Sequence, residues 1–252
     1  MDGAATALRR DHAARIAAAY AAEPRVAAVV LGGSTARGDA DRFSDLELGV
    51  FWQEQPNEED RRAAIARAGG DLELLYPYDA EWRAWYDAWK VGRRNGVPRT
   101  GISVESVHVT METVEWALEG AITQHDPSDV IQLLLSALVD GVPLHGHEFL
   151  EQARTAATAY PEALARAVVE RHGQIDHFWR FEMFRARDNP LLAHEAMVDI
   201  HRRVLRMLLA VNRVYFFGFK SLDAVAARLV ASPPELVAHI RAAYTAEPQD
   251  AE

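Results

Sequence analysis

The chain is predicted to fold as α+β, with a mixed β-sheet and flanking helices in its first half and an all-helical bundle in its second. Three observations carry this. Short apolar runs bounded by Gly, Pro or polar turns recur at 26–31, 45–52, 71–76 and 102–110, the pattern of strands. Ala-rich and amphipathic stretches lie before and between them, as helices that cover a sheet would. After Thr110 the strand pattern stops and helical texture runs on. The expected division is therefore 1–120 for the sheet domain and 121–252 for the helical one.

Residues 4–22 read as an Ala-rich helix that stops before Glu23-Pro24. Val26–Leu31 is a continuous apolar run, a buried strand. It ends at Gly32-Gly33-Ser34, where Thr35-Ala36-Arg37 begin a short helix. Asp45–Trp52 is a second strand, and Gln53–Asp60 leads into a helix over Arg61–Ala68. Asp71–Tyr76 and Trp85–Val91 are further strand candidates. Trp82, Trp85 and Trp89 recur at three and four residues, a spacing that suits a helix equally. Gly92–Gly101 reads as a turn or mobile loop, and Ile102–Thr110 resumes the strand pattern. Helices are expected over Met111–Thr123, Pro127–Val139 and His147–Thr158, interrupted at Gly141-Val142-Pro143. Two longer tracts, Pro161–Arg187 and Pro190–Phe217, are separated by Asp188-Asn189-Pro190, and Leu222–Val230 and Pro234–Tyr244 follow. The aromatic group Phe178, Trp179, Phe181 and Phe184 reads as helix core.

The 252 residues carry a formal charge of −10. Residues 1–125 hold 14 Lys+Arg against 20 Asp+Glu, and the remainder 13 against 17. Neither half has the basic stripe of a nucleic-acid binder, so such a partner is disfavoured; an acidic surface attracts cations instead. The absence of cysteine excludes disulfides and thiolate metal sites. No apolar run reaches membrane length and no secretory leader is visible, so a cytoplasmic address is expected. The histidines form no zinc motif; His194-Glu195 and His201 are too widely spaced. Of the 27 basic residues only Lys90 and Lys220 are lysines.

A strand that ends in Gly-Gly-Ser and turns into a helix lets backbone N–H groups approach a phosphate. Taken alone, such a turn is ordinary. Asp45 and Glu47 change its meaning. At i and i+2 on a strand their carboxylates share a face, while Leu46, Leu48 and Val50 point to the core. Paired carboxylates suit a hard cation such as Mg²⁺. A third acid, Glu105, stands inside the apolar run Ile102–Val107, where a charge needs a partner or a job. That strand does not alternate cleanly, which leaves the direction of Glu105 open.

Gly33-Ser34, ten intervening residues and Asp45-Leu46-Glu47-Leu48 resemble the signature of the DNA polymerase β-like nucleotidyltransferase superfamily. The string Gly33-Ser34-Thr35-Ala36-Arg37-Gly38, with Ser44-Asp45, is similar to its minimal and antibiotic-modifying branches. Glu47 stands where many members have Asp. In the helical half, Asp140–Gly146 and Leu209–Leu222 resemble a DUF4037-like domain, a looser likeness.

The resemblance implies a nucleotidyltransferase fold and transfer of a nucleoside monophosphate, AMP from ATP, to a hydroxyl with release of pyrophosphate. Asp45, Glu47 and Glu105 would hold two Mg²⁺ ions, and Glu105 would also take the acceptor's proton. The nucleoside triphosphate would rest on Gly33 and Ser34, with Arg37 and Ser44 beside it. From the helical half, Lys220 would meet a phosphate as a compact charge, and Tyr215, with Asn212, would face the nucleotide. The acceptor implied is a small polar molecule, aminoglycoside-like, in keeping with antibiotic-resistance relatives. A protein hydroxyl is the first alternative, and a catalytically impaired nucleotide sensor the second.

Overall fold

Alternation of apolar residues in the first half resolves into strands of one sheet. The computed structural model describes residues 3–38, 40–92, 101–175 and 178–245. α1 (Gly3–Ala21) leads into β1 (Val26–Leu31), α2 (Gly33–Arg37), β2 (Leu46–Trp52), α3 (Glu58–Arg67), β3 (Asp71–Leu75), β4 (Trp85–Val91) and β5 (Ile102–Thr110). α4 (Met111–Ile122), α5 (Asp129–Asp140), β6 (Val142–His145) and α6 (His147–Thr158) follow. The remaining helices are α7 (Glu162–Gly173), α8 (Phe178–Ala186), α9 (Pro190–Val211), α10 (Leu222–Ala226) and α11 (Leu236–Thr245). The loop expected over Gly92–Gly101 falls largely at 93–100, outside the described residues.

The six strands lie in the order β3-β4-β5-β2-β1-β6. β2 and β5 pair in parallel and the other neighbours antiparallel, which makes the sheet mixed. The fold is thus the α+β arrangement expected, a mixed sheet with flanking helices and a helical C-terminal region. Gly141-Val142-Pro143 is more than the helix interruption expected from sequence. It opens β6, which pairs with β1. Gly146 then turns the chain into α6 at φ +68, and a Cβ there would stand 2.1 Å from the Ala27 carbonyl oxygen, so only glycine fits.

The strand reading of Trp85–Val91 also holds. A spacing of four puts Trp85 and Trp89 on one side of a strand as well as of a helix, and pairing with β3 and β5 decides for the strand. Trp85, Asp87, Trp89 and Val91 all point inward.

The chain divides into two units, Met1–Gly120 with Leu134–Ala159, and Ala121–Leu133 with Tyr160–Glu252. In the first, one sheet face packs against α1 and α3 through Ile16, Tyr20, Leu46, Leu48, Val50, Trp52, Ile65 and Trp89. The other face is covered toward Phe51 by α6, whose Phe149 ring tilts 58° to Phe51 at 5.9 Å. In the second unit Leu205, Leu209, Phe216, Val225 and Ile240 form the core. There Arg206 grips both Asp129 oxygens at 3.1 and 2.6 Å and lies 4.3 Å over the Phe216 ring. α8 departs from expectation: none of its residues is buried, and Phe178 and Trp179 are 60% and 55% exposed. With nine residues resting on α9, it has too little partner surface to bury aromatics on several sides.

Beneath the sheet, on the α1 and α3 side, sits a buried charge cluster. Asp87 meets the Arg61 guanidinium through Oδ1 and stands 2.9 Å from His108 Nε2 through Oδ2. Trp52 Nε1–H can only donate, so His108 Nδ1 accepts it at 3.1 Å and the ring proton is assigned to Nε2. Burial lowers the His108 pKa and outweighs Asp87, which acts to raise it. The folded state therefore favours neutral His108, whereas the unfolded chain titrates near 6.5. Stability from this group is complete above that pH and is lost as pH falls below it. The urea midpoint is expected to drop from about pH 8 to about pH 5, and to drop less in His108→Gln. Equal drops in the two proteins would remove His108 as the cause.

Candidate active site

β1 runs antiparallel to β2, so the chain leaves β1 beside the point where β2 begins. The Gly32 N–H donates to the Glu47 carbonyl at 2.8 Å and carries the pairing one step into the turn. Gly33 takes φ +62, a conformation L side chains avoid. Its missing side chain matters for a second reason. A Cβ on Gly33 would stand 2.7–2.9 Å from all three carboxylate atoms of Glu47. Glu47 thus lays its carboxylate against the turn. α2 makes little more than one turn and is capped by Gly38, whose N–H donates to the Ser34 carbonyl at 3.0 Å.

The loop from Ala40 to Asp45 is tightly tied. Asp41 Oδ1 accepts the Phe43 N–H at 2.8 Å and the Ser44 hydroxyl at 3.1 Å, while Ser44 Oγ accepts the Asp41 N–H at 2.9 Å. The Phe43 N–H, followed by the Ser44 hydroxyl, holds the Asp41 carboxyl below its ordinary range. The turn presents Phe43 outward, 78% exposed, with the Arg42 guanidinium 4.5 Å over its ring. The Ser44 hydroxyl, expected beside the nucleotide, is engaged inside this turn.

Asp45 immediately precedes β2 and Glu47 lies within it, both half-buried, alternating with the buried Leu46 and Leu48. The parallel register sets Glu47 directly opposite Glu105 on β5. Partners in register share a sheet face, and Val104 and Ser106 occupy the buried one. Glu105 is therefore exposed on the same face as Asp45 and Glu47. Like charges opposite one another in a sheet are destabilising, a cost that donors or a shared cation offset. Three carboxylates are hard oxygen donors of the kind Mg²⁺ takes. As the side chains lie, no group of three or more His, Asp or Glu among the described residues is gathered tightly enough to hold an ion.

The structure thus brings Gly33, Ser34, Asp45, Glu47 and Glu105 to one end of the sheet, with Arg37 exposed at the last position of α2. Tyr215 and Lys220 belong to the second unit. Neither is helical. α9 ends at Val211, and Asn212 uses its side chain to join Leu208 and Ala231. Tyr215 is buried with its ring 4.7 Å from that of Tyr160, and burial raises its pKa to about 12. Lys220 is exposed just before α10.

Arg9 joins the site only in the folded chain, where its guanidinium holds the Ser44 carbonyl from α1. The contact spans 35 positions, and an Arg in a helix carries no local signal of it. Phe43 offered one weak signal, a bulky apolar residue among the polar loop residues Asp41, Arg42 and Ser44.

Residues 15–95 match the family model of the nucleotidyltransferase domain. No curated protein matches this chain. The matched stretch includes Gly33, Ser34, Asp45 and Glu47, and it supports the nucleotidyltransferase superfamily and nucleotidyl transfer as the general chemistry. No helix among the described residues is long and apolar enough to cross a membrane.

Proposed function

We propose that this nucleotidyltransferase domain moves a nucleoside monophosphate, AMP from ATP, onto a hydroxyl of a small polar, cationic acceptor of the aminoglycoside type. The observation that carries the reading is the register of β2 with β5, which sets Glu105 beside Glu47 on the face that begins at Asp45 and the Gly33-Ser34 turn. The backbone of that turn supports the triphosphate. Asp45 and Glu47 are the residues to hold Mg²⁺, with Glu105 as third carboxylate; the donor chemistry fits. When bound, the metal stabilises charge on the entering and departing oxygens. Glu105 accepts the proton of the acceptor hydroxyl as its oxygen forms a bond to the α-phosphorus, and the bond from that phosphorus to pyrophosphate breaks. The net charge of −10 favours a cationic acceptor over an anionic one.

The test is incubation with each of four labelled nucleoside triphosphates, Mg²⁺ and a panel of aminoglycosides, lincosamides and cell protein. Labelled small molecule supports the reading, and label on protein alone transfers the chemistry to a protein hydroxyl. Glu105→Gln is expected to lower kcat about a hundredfold, since it keeps the shape but cannot take a proton; full activity would remove Glu105 from that role. One observation favours a second reading, a nucleotide sensor without transfer: among the described residues no three acids are gathered as the side chains lie. Nucleotide binding with no pyrophosphate released on any acceptor would select it.

A further inference from the structure

α1 reaches the end of α2 and the loop before Asp45 with three side chains. Arg9 is only 7% exposed and places Nε and Nη2 on the Ser44 carbonyl oxygen at 2.9 and 2.7 Å, with Nη1 on the Ala5 carbonyl at 3.2 Å. Arg10 Nη2 donates to the Ala36 carbonyl at 3.2 Å, and Thr6 Oγ1 to that of Gly38 at 3.5 Å. Positions 6, 9 and 10 are spaced three and four apart, so they leave one side of the helix together. The carbonyls they hold belong to the end of α2 and to the far end of the loop that follows it.

A guanidinium enters a protein interior only when its N–H groups find acceptors. Here two of them converge on one backbone oxygen. That oxygen belongs to the planar peptide whose nitrogen is Asp45's own. Holding the Ser44 oxygen therefore fixes the position and tilt of the peptide from which the Asp45 side chain departs. The internal ties among Asp41, Phe43 and Ser44 make the loop one piece, so the grip on Ser44 is felt along it. Lysine offers a compact charge without the fork and cannot reproduce the double contact.

Resting on the reading of Asp45 as a ligand of the catalytic cation, we infer that Arg9 is a positioning residue. From α1 it sets where the Asp45 carboxylate stands relative to the Gly33 turn and Glu47. Arg9 itself touches neither substrate nor metal.

The test compares Arg9→Lys and Arg9→Ala with wild type and Asp45→Asn in the full chain. Three quantities are followed: hydrogen exchange in peptides covering 40–47, Mn²⁺ binding by electron paramagnetic resonance, and pyrophosphate release. Arg9→Lys is expected to stay folded and exchange faster at 44–46. Its Mn²⁺ affinity should fall about tenfold and its kcat about 10–100-fold, with the nucleotide KM changed less than about threefold. Wild-type exchange, Mn²⁺ affinity and kcat in a folded Arg9→Lys protein overturn the inference. Global unfolding of both variants also overturns it, because Arg9 then secures the fold rather than the loop. If wild type transfers nothing but Arg9→Lys still weakens Mn²⁺ binding, the transferase reading fails and the role of Arg9 stands. If wild type binds no Mn²⁺, the ligand reading of Asp45 fails and this inference with it.

Discussion

Asp45→Asn is expected to release pyrophosphate about a thousandfold more slowly than wild type, with its thermal midpoint unchanged or raised. Asparagine keeps the size and planarity of the side chain and removes one negative oxygen, so the substitution tests charge rather than shape. Asp45 is half-buried, just outside the strand ladder of β2. Its nearest acid along the chain, Glu47, projects from the same side, so neutralising Asp45 relieves repulsion in the absence of a cation. Lower activity without lower stability is the pattern of a residue kept for chemistry. The measurement is steady-state pyrophosphate release across Mg²⁺ concentrations, beside a thermal melt. Activity within about tenfold of wild type, unchanged by Mg²⁺, would exclude Asp45 as the principal metal ligand.

Gly33→Ala is expected to lower kcat/KM by about 10²–10³ and to cost about 1–2 kcal/mol of stability. The stability loss comes from φ +62, where alanine is strained. The larger catalytic loss comes from Glu47, whose carboxylate occupies the place of the new Cβ and must move. Gly38→Ala separates the two causes. Its φ is +87, so the strain is similar, but the nearest heavy atom to its Cβ would be Arg10 Nη2 at 3.9 Å. Gly38→Ala should therefore lose comparable stability and much less activity. Equal catalytic losses in the two variants would show that strain in α2, and not the displacement of Glu47, is what the site feels.

The turn and the paired acids were legible in the sequence because they are local. Glycine at the end of an apolar run and acids at i and i+2 have meanings set by backbone sterics and by the strand period, and neither needs a partner strand. The same holds for α1, β1 and β5, whose expected bounds lie within one residue of the observed ones, whereas α3 begins at Glu58, three residues before its expected start. α8 shows the limit of this reasoning. Its aromatics have a core-like composition, yet burial depends on how much neighbouring surface a nine-residue helix finds, and Phe178 and Trp179 find little. α9 is similar: the pattern ran to Phe217, but the helix stops at Val211, where Asn212 turns its side chain to Leu208 and Ala231.

By itself, then, the sequence determined the α+β class, the Gly33-Ser34 turn and the shared face of Asp45 and Glu47, all consequences of short-range geometry. Tertiary structure alone decided that Glu105 stands in register with Glu47, since strand pairing is chosen by packing across 58 positions of chain. It also decided that β6 returns to β1, that Arg61 and His108 share Asp87 beneath the sheet, and that Arg9 grips Ser44. Each of these joins groups far apart in sequence. A single side chain reveals its need for a partner, through charge or unfilled hydrogen bonds, but not which distant residue the folded chain will bring to it.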